Sequence, residues 1–191
     1  MSMSAKEEFI DIYQKNIKRE GADKLLAWLE TTDFFTCPAS TKFHSNFEGG
    51  LVEHSVKVYQ RLKKIIAAEQ MSVSDETLAV IALLHDVCKA NTYKVDYRNV
   101  KRDGEWVKEP YYMVDDQLPY GHGEKSVYII SGFMKLTREE AMAINWHMGP
   151  YDARVVGGSF ALSDAFKKFP LSLMMFIADI GSSYLDETIK K

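Results

Sequence analysis

Four of the five histidines in this 191-residue chain, together with two aspartates, occupy positions from which they could act as one group. His54 lies on the apolar helical stripe of Leu51, Val58 and Leu62. His85 closes the stripe of Leu78 and Ile81 at the end of an apolar run, and Asp86 follows it. His147 shares a stripe with Ala143 and Ile144, and Asp179 stands one turn past Met175. His122 sits at a loop-to-helix junction between Gly121 and Gly123. A lone histidine on an apolar face is ordinarily a core residue with a hydrogen-bond partner. Buried carboxylates are harder to explain, because burial is tolerated only with a pairing partner or a metal. A divalent cation accounts for the whole set, since imidazole nitrogens and carboxylate oxygens both ligate it and the charges offset. With no cysteine among them, the set favours manganese, iron, nickel, cobalt or zinc over a structural thiolate zinc site.

The elements that must position these residues are mostly helical. Apolar periodicity predicts helices over 6–18 and 22–29 with Gly21 between them, a loop over 34–50, and a helix over 51–68. Ser74 or Asp75 can cap the next helix, which should run to about 87. Helices over 124–134, from a Thr137–Glu140 capping box to about 147, over 159–168, and from Pro170 to about 187 complete the reading. Residues 93–113 differ. Two β-prone runs flank Asp103-Gly104, a hairpin signal. The expectation is therefore an all-α domain with a β-hairpin insertion around 93–113.

Composition bounds the function classes. Hydrophobic residues at 46% and charged residues at 27% exclude a disordered or fibrous chain. A net charge of −3 provides no global attraction to nucleic acid. Cys37 and Cys88 are too few and too far apart for a disulfide scaffold, which points to a reducing compartment. With no signal-like N-terminus and no apolar run near 18 residues, the sequence predicts a soluble, cytoplasmic protein with no membrane partner.

The segment Leu83-Leu84-His85-Asp86-Val87-Cys88-Lys89 resembles the HD motif of the HD-domain metal-dependent phosphohydrolase superfamily. Gly49-Gly50-Leu51-Val52-Glu53-His54 is similar to the setting of its first histidine, and Ile177-Ala178-Asp179 to that of its last aspartate. His122 and His147, lying between Asp86 and Asp179, resemble the added ligands of the members that bind two metals. The resemblance implies a single HD-type domain over 1–191, with N-terminal helices at 1–33 and a metal-binding core at 43–187. It implies that His54, His85, Asp86 and Asp179 hold one metal, that His122 and His147 hold a second, and that Asp86 bridges. The chain also resembles the HD domain attached to some 3′–5′ exoribonucleases, without the OB-fold domain those carry.

The implied chemistry is hydrolysis of a phosphomonoester or phosphodiester, with a nucleotide or oligonucleotide as substrate and a metal-activated hydroxide as nucleophile. Asp86 and Lys89 are the implied catalytic residues, Lys89 offering an ammonium to a phosphate oxygen. His44 and Lys125 join Lys89 as candidate substrate contacts, Lys125 because it stands near a helix N-terminus. Cys88 reads as a small core residue. The run Lys94, Arg98, Lys101 and Arg102, interleaved with Tyr93, Tyr97 and Trp106, can be read as a nucleic-acid strip. A hairpin with one packed and one solvated face is the preferred account, so nucleic acid is not the favoured partner. Two other classes share the ligand pattern: a mixed-valence diiron oxygenase and a non-catalytic nucleotide-binding module. Oligomeric state is left open.

Overall fold

The computed structural model describes residues 3–41 and 45–187. Helix α1 (Ala5–Asn16) opens with a capping box in which Ser4 and Glu7 satisfy each other's backbone N–H groups. Helix α2 (Ala22–Thr31) and the long α3 (Gly50–Ala68) follow, and the described residues between them, 32–41 and 45–49, form turns and bends. A Cβ on Gly50 would fall 1.9 Å from the Ser45 carbonyl oxygen, so glycine lets that segment lie against the start of α3.

Helix α4 (Asp75–Leu84) is capped by Ser74, whose hydroxyl accepts from the Thr77 N–H. It ends at Leu84, three residues short of the expected stop, and a single 3₁₀ turn (Val87–Lys89) succeeds it. After the hairpin come α5 (His122–Ser131) and α6 (Arg138–Asn145). The short α7 (Ala153–Val156), which periodicity did not suggest, then leads to α8 (Ala161–Lys168) and α9 (Pro170–Gly181). The Thr137–Glu140 capping box forms as expected. The last helix ends at Gly181 and passes into a π turn over Ser182–Asp186.

Side chains of α1 to α4, with Ile130, Ile144 and Met175, build the main core. Glu140 is buried in this body and clamps it: the Arg19 guanidinium donates to both its oxygens at 2.7 and 2.9 Å, and the Thr77 hydroxyl donates at 3.0 Å.

Strands β1 (Tyr93–Arg102) and β2 (Glu105–Val114) form one antiparallel ladder of ten pairs, from Tyr93 opposite Val114 to Arg102 opposite Glu105. Asp103 and Gly104 at φ +51° and +91° make the left-handed two-residue turn. The description all-α therefore holds for the body and not for this insertion. Neither hairpin face is packed, contrary to the expectation of one buried face: Tyr97 is 63% and Trp106 72% exposed on one side, and Val107 45% on the other. Among the described residues the hairpin meets the body at its base, where Asp115 N–H donates to the Thr92 carbonyl and Tyr93 packs against the main core. No helix among the described residues is long and apolar enough to cross a membrane.

Candidate metal centre

Two helices end in the same way. At the end of α4, His85 turns back so that Nδ1 donates to the Ala82 carbonyl at 2.8 Å. Past the end of α6, His147 Nδ1 donates to the Ile144 carbonyl at 2.6 Å. Carbonyls in a last turn lack helical partners, and an imidazole N–H satisfies them. A carbonyl can only accept, so the proton sits on Nδ1 and Nε2 keeps its lone pair. Both Nε2 atoms face the interior.

His54, in the second turn of α3, has no helix-end carbonyl to use. Its Nδ1 instead meets the Glu187 carboxylate at 2.6 Å. The Glu187 side chain is fully buried, and the hydroxyls of Ser45 and Ser182 donate to it at 2.6 and 3.0 Å. His54 Nε2 then points at His85 Nε2, 3.1 Å away, and at Asp179 Oδ1, 3.2 Å away. Two ring nitrogens this close, each with its other nitrogen bonded outward, need a cation or a proton between them. Burial works to lower the His54 pKa, but Asp179 and Glu187 prevail and push it up to about 10. In the same structure Asp179 is held far below the usual carboxylate range, because His54 and the other histidines outweigh its burial.

Asp86 sits between two sets of nitrogens. Its Oδ2 lies 3.4 Å from His85 Nε2 and 3.7 Å from His54 Nε2. Its Oδ1 lies 2.7 Å from His122 Nε2 and 3.4 Å from His147 Nε2. His122 is the first residue of α5, and Gly123 brings it close: a Cβ there would lie 2.2 Å from the Asn145 carbonyl of α6. The donors fit a divalent cation, being nitrogen and oxygen atoms that cluster as His54, His85 and Asp86, and as His85, His147 and Asp179. A buried polar atom supports the fit, since His147 Nε2 has no hydrogen-bond partner among the described residues.

Residues 51–180 match the family model of the HD domain. The chain belongs to the HD domain family. Comparison with curated proteins and with solved structures gave no match. In this HD domain the six candidate ligands named from sequence converge from α3, the end of α4, α5, the end of α6 and α9.

Lys89 also reaches the centre, its ammonium 2.6 Å from Asp86 Oδ2 and its side chain 12% exposed. Burial works against its charge, but Asp86 wins and raises its pKa above the ordinary lysine value. Lys125 does not present a free ammonium as the sequence suggested. It is buried and bonded to Asp116 at 2.5 Å and to the Thr92 hydroxyl at 3.1 Å. Those contacts tie the start of α5 to the foot of the hairpin. His44 lies outside the described residues.

One residue that sequence reasoning passed over, Glu187, stands at the HD centre. So does Cys88, which is buried as expected of a core residue but also has its Sγ 3.5 Å from His122 Nδ1, grouped with Asp86 and His122. Burial, with Asp86 beside it, pushes the Cys88 thiol up to about 12, so it is a protonated neighbour of the imidazole here. Its place three residues after His85, on the turn that carries Asp86, was the available signal.

Proposed function

We propose that this HD domain is a metal-dependent phosphohydrolase acting on a phosphomonoester or phosphodiester of the nucleotide class, with two divalent transition-metal ions. The observation that carries the reading is the placement of Asp86, whose two oxygens face different histidine sets. His54, His85, Asp179 and Asp86 Oδ2 would hold one ion. His122, His147 and Asp86 Oδ1 would hold the other. Bound there, such ions supply a nucleophile from water near neutral pH and positive charge for phosphoryl oxygens.

The chain's own residues set the conditions for that chemistry. The Nδ1 bonds of His54, His85 and His147 hold the rings in orientation and keep Nε2 available. Burial of His54, His85, Asp86 and His147 excludes bulk water, which strengthens every charge interaction in the pocket. Lys89, anchored by Asp86 and 12% exposed, would hold a substrate phosphoryl oxygen. The two free, buried cysteines accord with a reducing, cytoplasmic setting.

Metal content of anaerobically purified protein, measured by mass spectrometry, tests the proposal. The expected result is near two ions per chain, falling to one in the His122→Ala/His147→Ala double variant. Phosphate release with manganese should continue without oxygen, and Asp86→Ala should lose metal and turnover together. Retained turnover in Asp86→Ala, or turnover that requires oxygen, would overturn the hydrolase reading; the latter result would favour the diiron oxygenase.

A further inference from the structure

Strand alternation sorts the hairpin's charges in a way the linear sequence hides. Lys94, Arg98 and Arg102 fall on one face with Asp96, Glu105 and Glu109. There they are paired: Arg98 and Arg102 both bind Glu109, and Lys94 binds Asp115. The opposite face carries Val95, Tyr97, Lys101, Trp106, Lys108 and Tyr112, and no carboxylate. Lys101 stands directly across from Trp106. Neither Lys101 nor Lys108 makes an ion pair with any described residue, and both are exposed. Exposed rings beside unpaired cations, with anions removed to the other side, complement a ligand that combines flat π faces with negative charge.

At its foot this same face lines a cleft of about 300 Å³ with Asp33, Thr36, Cys37, Pro38 and Glu48. Tyr93, in that lining, follows directly on the turn that carries Asp86 and Lys89, where Thr92 N–H donates to the Lys89 carbonyl at 3.2 Å. Eight residues separate Tyr93 from Lys101, about 27 Å along a strand. The unpaired lysines are thus at the hairpin's outer half and the metal centre is at its foot. A mononucleotide is too short to touch both.

We propose that this carboxylate-free face of the hairpin docks single-stranded oligonucleotide and leads one end of it toward the metal centre. Tyr97 and Trp106 stack bases, and Lys101 and Lys108 meet phosphates. The docking stands on the hairpin alone; the assignment of oligonucleotide as the substrate rests on the phosphohydrolase reading.

Fluorescence anisotropy with a labelled 12-nucleotide single strand, on the full chain in EDTA at low salt, separates the two. The 12-mer should bind much more tightly than a trinucleotide. Trp106→Ala and Tyr97→Ala should each weaken 12-mer binding about tenfold, without loss of folding by circular dichroism, since both rings are in solvent. The Lys101→Glu/Lys108→Glu variant should weaken it further and make log affinity against log salt shallower by about 1.4. With manganese restored, these variants should hydrolyse a small chromogenic phosphodiester as the parent does and lose rate only on the 12-mer. No 12-mer binding, equal affinity for the trinucleotide, or affinity unchanged in the variants would each overturn the proposal. So would a dimer, seen by sedimentation, that Trp106→Ala dissociates, because the face would then be covered by a second copy. If the parent binds the 12-mer but hydrolyses neither compound, the phosphohydrolase reading fails while the docking surface stands.

Discussion

Three imidazoles in this chain donate from Nδ1 and leave Nε2 facing inward, but only two of them use the backbone to do so. His54 depends on Glu187, a carboxylate held in turn by Ser45 and Ser182. An outer carboxylate of this kind fixes the tautomer and raises the basicity of the ligating nitrogen. Glu187→Ala should therefore weaken manganese binding by 10- to 100-fold, read by titration calorimetry. Glu187→Gln can still accept a hydrogen bond, so it should lose less; equal affinity in all three proteins would remove Glu187 from the metal centre. The six candidate ligands were legible in the sequence because histidine is scarce and inward aspartate is costly. Glu187 was not, being one of 27 acidic residues with no periodic setting of its own. Lys125 shows the reverse error: a lysine beside a helix start reads as available, and only the fold reveals Asp116 already bound to it.

At the scale of elements, the helix ends matter more than the helices. The apolar stripes located α3, α4 and α6 to within a few residues and α9 at its start, six residues short of its expected end, since burying one face imposes a 3.6-residue period. Where α4 stops was not visible, because it stops at a histidine that takes a carbonyl of its own last turn. Glu140 illustrates a contact that belongs to several elements together. It closes the capping box of α6 and receives Arg19 from beyond α1 and Thr77 from α4. Burial works to raise its pKa, but Arg19 and the Thr137 N–H prevail and hold it below the usual carboxylate value. The stabilisation is then complete above the unfolded pKa of about 4.3 and is lost as pH falls through the lower folded value. Glu140→Ala should cost about 2 kcal/mol at pH 7, because it removes two charge-assisted bonds from the Arg19 guanidinium, which keeps only Glu76 at 3.4 Å and the Lys135 carbonyl. In urea titrations the gap between Glu140→Gln and the parent should close on acidification; a gap independent of pH would show that Glu140 does not act through its charge.

For the whole molecule, the centre draws one residue or more from each of five segments that the chain visits over 126 positions, from His54 to Asp179. A cation bound there ties α3, α4, α5, α6 and α9 together and is absent from the unfolded chain, so its binding energy adds to folding. At a free ion concentration 100 times Kd, that is about 2.7 kcal/mol. For a chain of this size it corresponds to roughly 5–10 °C in Tm, which EDTA should remove and manganese restore in calorimetry. A Tm indifferent to both would mean that the donors do not hold metal in the folded protein.

The sequence by itself determined the helical body, the hairpin and its Asp-Gly turn, the HD family and the six residues at its centre. Each of these is written in residue type and in periods of two to four positions, which local physics reads directly. Only the tertiary structure decided which oxygen of Asp86 faces which histidines, that Glu187 buttresses His54, and that Lys125 is committed elsewhere. These depend on contacts between residues as far apart as His54 and Glu187, and no local pattern records such distances. The hairpin joins the two kinds of information. Its alternation is a property of the sequence, but that neither face is packed, with the unpaired lysines all on one of them, follows from where the body ends and the solvent begins.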